Sequence, residues 1–152
     1  MARRYEQITE LYRQSIREIT SRPENWTSFL RSACRNYRLP FDELVLIYAQ
    51  RPDATAVLPI EGKNGWNKRF GRWVNRGATG IAVFDREYVH GTRLKYYFDI
   101  SDTHESRFAR PVPLWEVQSG QEADVIESLE NRFGVLESKE NLAAALLSTA
   151  KN

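Results

Sequence analysis

Gly80-Ile81-Ala82-Val83-Phe84-Asp85-Arg86-Glu87-Tyr88-Val89-His90-Gly91-Thr92-Arg93-Leu94-Lys95-Tyr96-Tyr97-Phe98-Asp99-Ile100 is the stretch that decides the fold class. Its two arms, Ile81–Val89 and Thr92–Ile100, are rich in β-branched and aromatic residues. His90-Gly91 falls between them, which predicts a β-hairpin. A chain with this hairpin at its middle and helical periodicity on both sides reads as α+β.

Upstream the apolar residues follow a helical period. Residues 4–20 predict an amphipathic helix with Ile8, Tyr12, Ile16 and Ile19 on one side, stopped by Arg22-Pro23. Asn25 then reads as an N-cap. Trp26, Phe29, Leu30, Ala33, Cys34 and Tyr37 follow as a helical stripe. Cys34 lies inside that stripe, so it reads as a packed, inert thiol. Pro40 fits the first turn of a third helix, Phe41 to about Gln50, with Leu44, Val45, Ile47 and Tyr48 as its apolar face. Arg51-Pro52-Asp53 ends it. The short apolar run from Ala54 to Ile60 is interrupted by Pro59 and reads as a loop or an edge strand.

Downstream of the hairpin, residues 101–110 read as polar loop and Pro111 to Trp115 as extended chain. Residues 121–132 and 138–149 predict two helices around Gly134. The expected architecture is N-terminal helices packed on a small antiparallel β-sheet, with C-terminal helices. The expected divisions are an N-terminal helix over 1–22, a central domain over 23–117 and an acidic helical extension over 118–152.

With 152 residues, of which 41% are hydrophobic, the chain can bury a core. The net charge of +2 conceals an asymmetry: residues 1–100 hold 17 Lys/Arg against 11 Asp/Glu, and residues 101–152 hold 5 against 9. A basic body with an acidic tail suits a polyanionic partner for the first hundred residues; ordinary surface charge is the competing reading. Cys34 is the only cysteine, so an intrachain disulfide framework or a cysteine-rich zinc site is excluded. No apolar run reaches 18 residues, and the N-terminus opens no signal-peptide stretch. The chain is therefore expected in the cytoplasm, with no membrane partner.

The densest chemistry lies just before the hairpin. Lys63-Asn64-Gly65-Trp66-Asn67-Lys68-Arg69-Phe70-Gly71-Arg72-Trp73-Val74-Asn75-Arg76 holds five Lys/Arg, three large aromatics and no acid. Cations track a phosphate backbone and aromatic faces stack on bases, so the interleaving suits unpaired nucleic acid. The segment reads as a short helix over 65–75, or one broken near Gly71, with Gly77 placed for a left-handed C-cap. On that helix Phe70 and Trp73 are expected in the core. Trp66, at its start, is freer to be exposed, and Arg69, Arg72 and Arg76 form a phosphate-facing side.

Other constellations carry little. The run Gly71 to Gly80 lacks the Gly-Lys-Ser/Thr of a phosphate-binding loop. His90 and His104 do not form a ligand pair. Asp99 and Asp102 read as turn-stabilising rather than metal-binding. No catalytic arrangement, cofactor site or metal site is expected.

The string Leu46-Ile47-Tyr48-Ala49-Gln50-Arg51-Pro52-Asp53-Ala54-Thr55, then Trp66, Gly71-Arg72-Trp73-Val74-Asn75-Arg76-Gly77 and Gly80-Ile81-Ala82-Val83, resembles the N-terminal domain of the ArdC antirestriction proteins and their relatives. Phe98-Asp99-Ile100-Ser101-Asp102-Thr103 and Leu114-Trp115 are also similar to that family. The resemblance covers roughly residues 24–116. It implies single-stranded DNA binding on plasmids and conjugative elements, in a module that heads longer chains ending in a helicase, methylase, primase or metalloprotease. The protease's zinc motif is absent here, so that activity does not carry over. Met1 reads as a natural N-terminus, and the relatives' longer build leaves room for more chain after Asn152. By the resemblance, Tyr48, Gln50, Arg51 and Thr55 flank the binding face, while Trp66, Arg69, Arg72 and Arg76 stack on bases and contact phosphates. Lys63, Lys68 and Lys95 complete the candidate set. The expected function is non-catalytic, largely sequence-independent binding of single-stranded DNA. The competing class is a protein-interaction module that docks through the acidic C-terminal helices.

Overall fold

The computed structural model describes residues 2–86, 93–116, 118 and 120–133. The chain divides into two units, Met1–Trp115 and Glu116–Asn152. The first unit is α+β: helices α1 (Ala2–Ile19), α2 (Pro23–Arg35) and α3 (Phe41–Gln50) precede the strands.

Helix α3 is the hub. Flanked by Pro40 and Pro52, it keeps the predicted bounds and presents apolar residues on two sides. Leu46 and Ile47 join Ile8, Ala54, Val57, Ile81, Ala82, Val83 and Tyr97 in the larger core, while Val45 joins Ile19 and Phe29 in a smaller one. Fully burying one aliphatic side chain contributes about 1.5–3 kcal/mol, so α3 anchors both clusters. Helix α1 feeds both through Ile8 and Ile19, so the boundary expected at residue 22 does not separate two bodies. Helix α2 begins at Pro23, not after Asn25. Proline suits the first helical position because its missing N–H has no intrahelical partner there. Asn25 instead donates its amide to Glu18 O (3.0 Å) and Ser21 Oγ (3.1 Å), bracing the α1–α2 corner.

Strands β1 (Val57–Leu58), β3 (Ile81–Phe84) and β4 (Leu94–Asp99) form an antiparallel sheet in the order β1-β4-β3. The pairing sets Ile81 opposite Tyr97 and Phe84 opposite Leu94. The arms of the expected hairpin thus pair as read; its turn, including His90 and Gly91, lies outside the described residues. The run 53–62 supplies the two-residue β1. The Gln50 amide bonds both backbone groups of Ala82 in β3, at 2.8 and 3.0 Å, and Asn36 Oδ1 accepts from Val57 N in β1 at 3.1 Å.

The polar segment after β4 is structured. A 3-10 turn (Ile100–Asp102) leads into β5 (Thr103–Glu105), which pairs antiparallel with β2 (Arg72–Val74) in a separate ribbon. Asp99 organises this corner. Its Oδ1 accepts from Thr55 N (2.8 Å) and Ala56 N (3.0 Å), and its Oδ2 from the Ser101 amide and hydroxyl. In the second unit, helix α4 (Glu122–Phe133) matches the first expected C-terminal helix; the second, 138–149, lies outside the described residues. Among the described residues no helix is long and apolar enough to cross a membrane.

Candidate nucleic-acid interface

The basic-aromatic segment departs from a single helix, and its path decides which side chains face solvent. Trp66–Phe70 form one π-helical turn. Gly71 then takes φ +62 and ψ 34, a left-handed conformation that side-chain-bearing residues adopt at a cost. A Cβ there would lie 2.6 Å from the Phe108 carbonyl oxygen. After Gly71 the period is that of a strand, β2, so Trp73 does not continue the face of Trp66 and Phe70.

The expected exposures are therefore reversed for the two tryptophans. Trp66 is fully buried, its ring 5.8 Å from Phe70 and its Nε1 donating to Phe98 O at 2.8 Å. It cannot stack on a base without leaving the core. Phe70 is buried as expected, and Trp73, expected in the core, is 52% exposed.

A groove of about 920 Å³ opens beside Phe70. One wall is the α2–α3 connection, Arg35 to Leu39. The other comprises Pro59, Glu61 to Asn64 and Val112 to Trp115, and Val57, Lys95 and Tyr97 contribute from the sheet. Five cations line it, Arg35, Arg38, Lys63, Arg69 and Lys95, against a single acid, Glu61. Tyr37 and Trp115 are 58% and 44% exposed. The Arg38 guanidinium lies 5.5 Å from the Tyr37 ring centre and Arg69 lies 5.2 Å from that of Phe70. Arg35 spends one N–H on Pro52 O (3.3 Å). Arg35, Arg38, Lys63 and Arg69 have no ion pair among the described residues.

Lys95 differs. Its Nζ lies 2.7 Å from Glu43 Oε1, and the Tyr97 hydroxyl donates to Glu43 Oε2 at 2.8 Å. Glu43 is 1% exposed. Desolvation works against the Lys95 ammonium, but its bonds to Glu43 and Tyr97 prevail and hold its pKa above the ordinary lysine range. Burial, aided by the Glu43 carboxylate, pushes Tyr97 up to about 12. Lys95 reaches the groove with its charge already matched from below.

Of the expected site residues, the groove brings together Lys63, Arg69 and Lys95. The others are elsewhere. Tyr48 packs edge-on against Phe29 at 5.7 Å. Gln50 is committed to Leu46 O and Ala82. Arg51 Nη1 bonds Asp102 Oδ2 at 2.6 Å and its Nη2 bonds Ser101 Oγ, and Asp102 raises its pKa further. Thr55 serves the Asp99 corner through its amide. Arg72 is folded under the ribbon, bonding Thr103 Oγ1 and Glu105 Oε1, each at 2.8 Å. Lys68 and Arg76 are exposed but do not line the groove.

Sequence reading missed Arg35, Tyr37, Arg38, Leu114 and Trp115. The signal was present: Arg35-Asn36-Tyr37-Arg38 interleaves cation and aromatic as residues 63–76 do. By its spacing Tyr37 continues the helical stripe of α2, but the helix ends at Arg35.

Asp99 and Asp102 hold the turn as expected. Backbone and hydroxyl donors saturate Asp99, and although desolvation opposes ionisation, those bonds, led by Ser101, keep its pKa below the usual carboxylate value. Among the described residues no group of three or more His, Cys, Asp or Glu could hold a metal ion. No family model matches this chain, and neither does any curated protein or solved structure.

Proposed function

We propose that the unit formed by residues 1–115 binds single-stranded DNA in this groove, without catalysis and with little sequence preference. The observation that carries the reading is the groove's makeup: four cations lacking ion pairs, two exposed aromatic rings and one acid around a single concavity. Single-stranded nucleic acid offers what such a surface lacks, a phosphate on every nucleotide and base faces that duplex DNA keeps stacked. The likeness to ArdC-type domains supports the same reading. On it, the chain acts for a plasmid or conjugative element, in restriction evasion or strand protection, ahead of a helicase, methylase or protease module.

The test is fluorescence anisotropy of labelled oligo-dT at low and moderate salt, with a duplex competitor and an Arg38→Ala/Arg69→Ala variant. Salt-sensitive binding that duplex does not compete for and the variant weakens is expected. No binding at low salt would overturn the proposal.

A second reading rests on α4, where Val125 and Ile126 are 49% and 55% exposed beside Asp124 and Glu127. An acidic helix with adjacent exposed aliphatics suits a protein partner. Val125→Ser/Ile126→Ser would leave oligo-dT affinity unchanged under the groove reading and abolish docking under this one.

A further inference from the structure

The β2–β5 ribbon carries a second aromatic and cationic surface, next to the groove along the chain. Trp73 is 52% exposed, and its register partner in β5 is His104, also exposed. The His104 ring is oriented by Asn75, Nδ1 to Oδ1 at 2.7 Å. Phe108 is 69% exposed, with the Arg107 guanidinium 4.6 Å from its ring centre. Arg76, Arg107 and Arg110 are exposed and have no ion pair among the described residues. The acid on this ribbon, Glu105, is engaged by Arg72.

This surface is tied to the groove by backbone. Arg110 N donates to Phe70 O (2.9 Å), and Ser106 N donates to Gly71 O (3.1 Å). The loop that carries Phe108 is thus clasped to the residue that lines the groove. Trp73 follows Phe70 by three residues, a separation of at most about 11 Å. Exposed aromatics scattered singly are ordinary, but here two rings, an imidazole and three guanidiniums without an ion pair among the described residues fall on one ribbon and the segments leading from its two ends, Arg76 beyond β2 and Arg107 to Arg110 beyond β5.

We infer that the ribbon is a second contact for the same strand: a chain leaving the groove past Arg69 and Phe70 continues over β2, with one base stacked on Trp73 and phosphates on Arg76 and Arg107. The inference rests on the groove reading and adds to it a footprint longer than the groove. Buried Trp66 cannot serve as the stacking ring; Trp73 takes that role from the strand that Gly71 creates.

The test compares oligo-dT of about 4 and about 16 nucleotides, the span of strand lengths that single-stranded-DNA-binding folds occupy. Anisotropy is measured for the full chain, Trp73→Ala, Trp73→Phe and Arg76→Glu, with circular dichroism to establish folding. Trp73→Ala is expected to leave the short strand's affinity unchanged and weaken the long one by about 5- to 160-fold, the range for one stacked base. Trp73→Phe is expected to restore most of the loss. Arg76→Glu, in an exposed turn, is expected to repeat the length-selective loss if Trp73→Ala fails to fold. Equal long-strand affinity in wild type and in the folded variants would overturn the ribbon contact while leaving the groove standing. Equal loss on both strands would put Trp73 inside the groove's own footprint and overturn the extension. Failure of the wild type to bind either strand would remove the groove reading and this inference together.

Discussion

The number of phosphates the groove neutralises can be read from its charges, and salt titration reports that number. Each phosphate contact on a single strand releases counterion and contributes roughly −0.7 to the slope of log affinity against log salt. Five cations line the groove, but Glu43 already matches Lys95, which leaves Arg35, Arg38, Lys63 and Arg69. Four contacts give a slope of about −2.8, so raising salt four-fold weakens a groove-length strand by about 50-fold. Arg38→Ala/Arg69→Ala should halve the slope to about −1.4. The paired double variant Glu43→Gln/Lys95→Met should leave it unchanged, because it removes a carboxylate and an ammonium that cancel. The assay is oligo-dT anisotropy across a salt series with a strand confined to the groove. A wild-type slope near zero would refute the reasoning outright. A Glu43→Gln/Lys95→Met slope as shallow as that of the arginine variant would refute the assignment of Lys95 as a neutralised cation.

Further outcomes concern the frame that shapes the groove. Gly71→Ala combines a positive φ with a Cβ 2.6 Å from a backbone carbonyl, so urea unfolding should show a loss of about 2–4 kcal/mol. Trp66→Phe deletes the donor to Phe98 O and leaves a void, which should cost about 2–4 kcal/mol in the same assay. Asp99 has a folded pKa below the ordinary carboxylate value, so its contribution is present above about pH 4 and lost as pH falls through the folded value. Asp99→Asn should accordingly be less stable than wild type at neutral pH and lose less on acidification, as followed by thermal melts across that window.

What the residues disclosed beforehand followed local rules. Pro40 and Pro52 bracket α3, and proline's fixed φ and missing N–H act whatever the tertiary context. The β-branched and aromatic content of Ile81 to Phe84 and of Leu94 to Asp99 gave the paired strands. What escaped depended on single backbone angles or distant partners. One left-handed glycine, Gly71, turned a helical period into a strand period and exchanged the fates of Trp66 and Trp73. Strands as short as Arg72–Val74 and Thr103–Glu105 hold too few residues for an alternation to register, and they find each other across some thirty positions. Arg51 looked free to flank the binding face and Arg72 to contact phosphate because their acceptors, Asp102 and Glu105, lie far along the chain. Tyr37 looked like part of a packed helical stripe because the stripe was followed two residues past the end of α2 at Arg35, which also hid the cation-aromatic pairing of Arg35 to Arg38.

The side-chain amides on the sheet have a consequence for how anything can join it. Unpaired N–H and C=O groups along an outer strand invite an extended peptide or another copy to add itself. Here β3 offers Ala82 outward and Gln50 occupies both of its backbone groups; β1 offers Val57 and Asn36 takes its N–H. Two carboxamides thus act as stoppers on the two flanks of a three-stranded sheet, imitating the strands that would otherwise come next. Such a sheet resists growth by templated pairing, the route to fibres and domain swaps. It also restricts legitimate ligands to approach over its face, where recognition comes from side chains and not from backbone ladders.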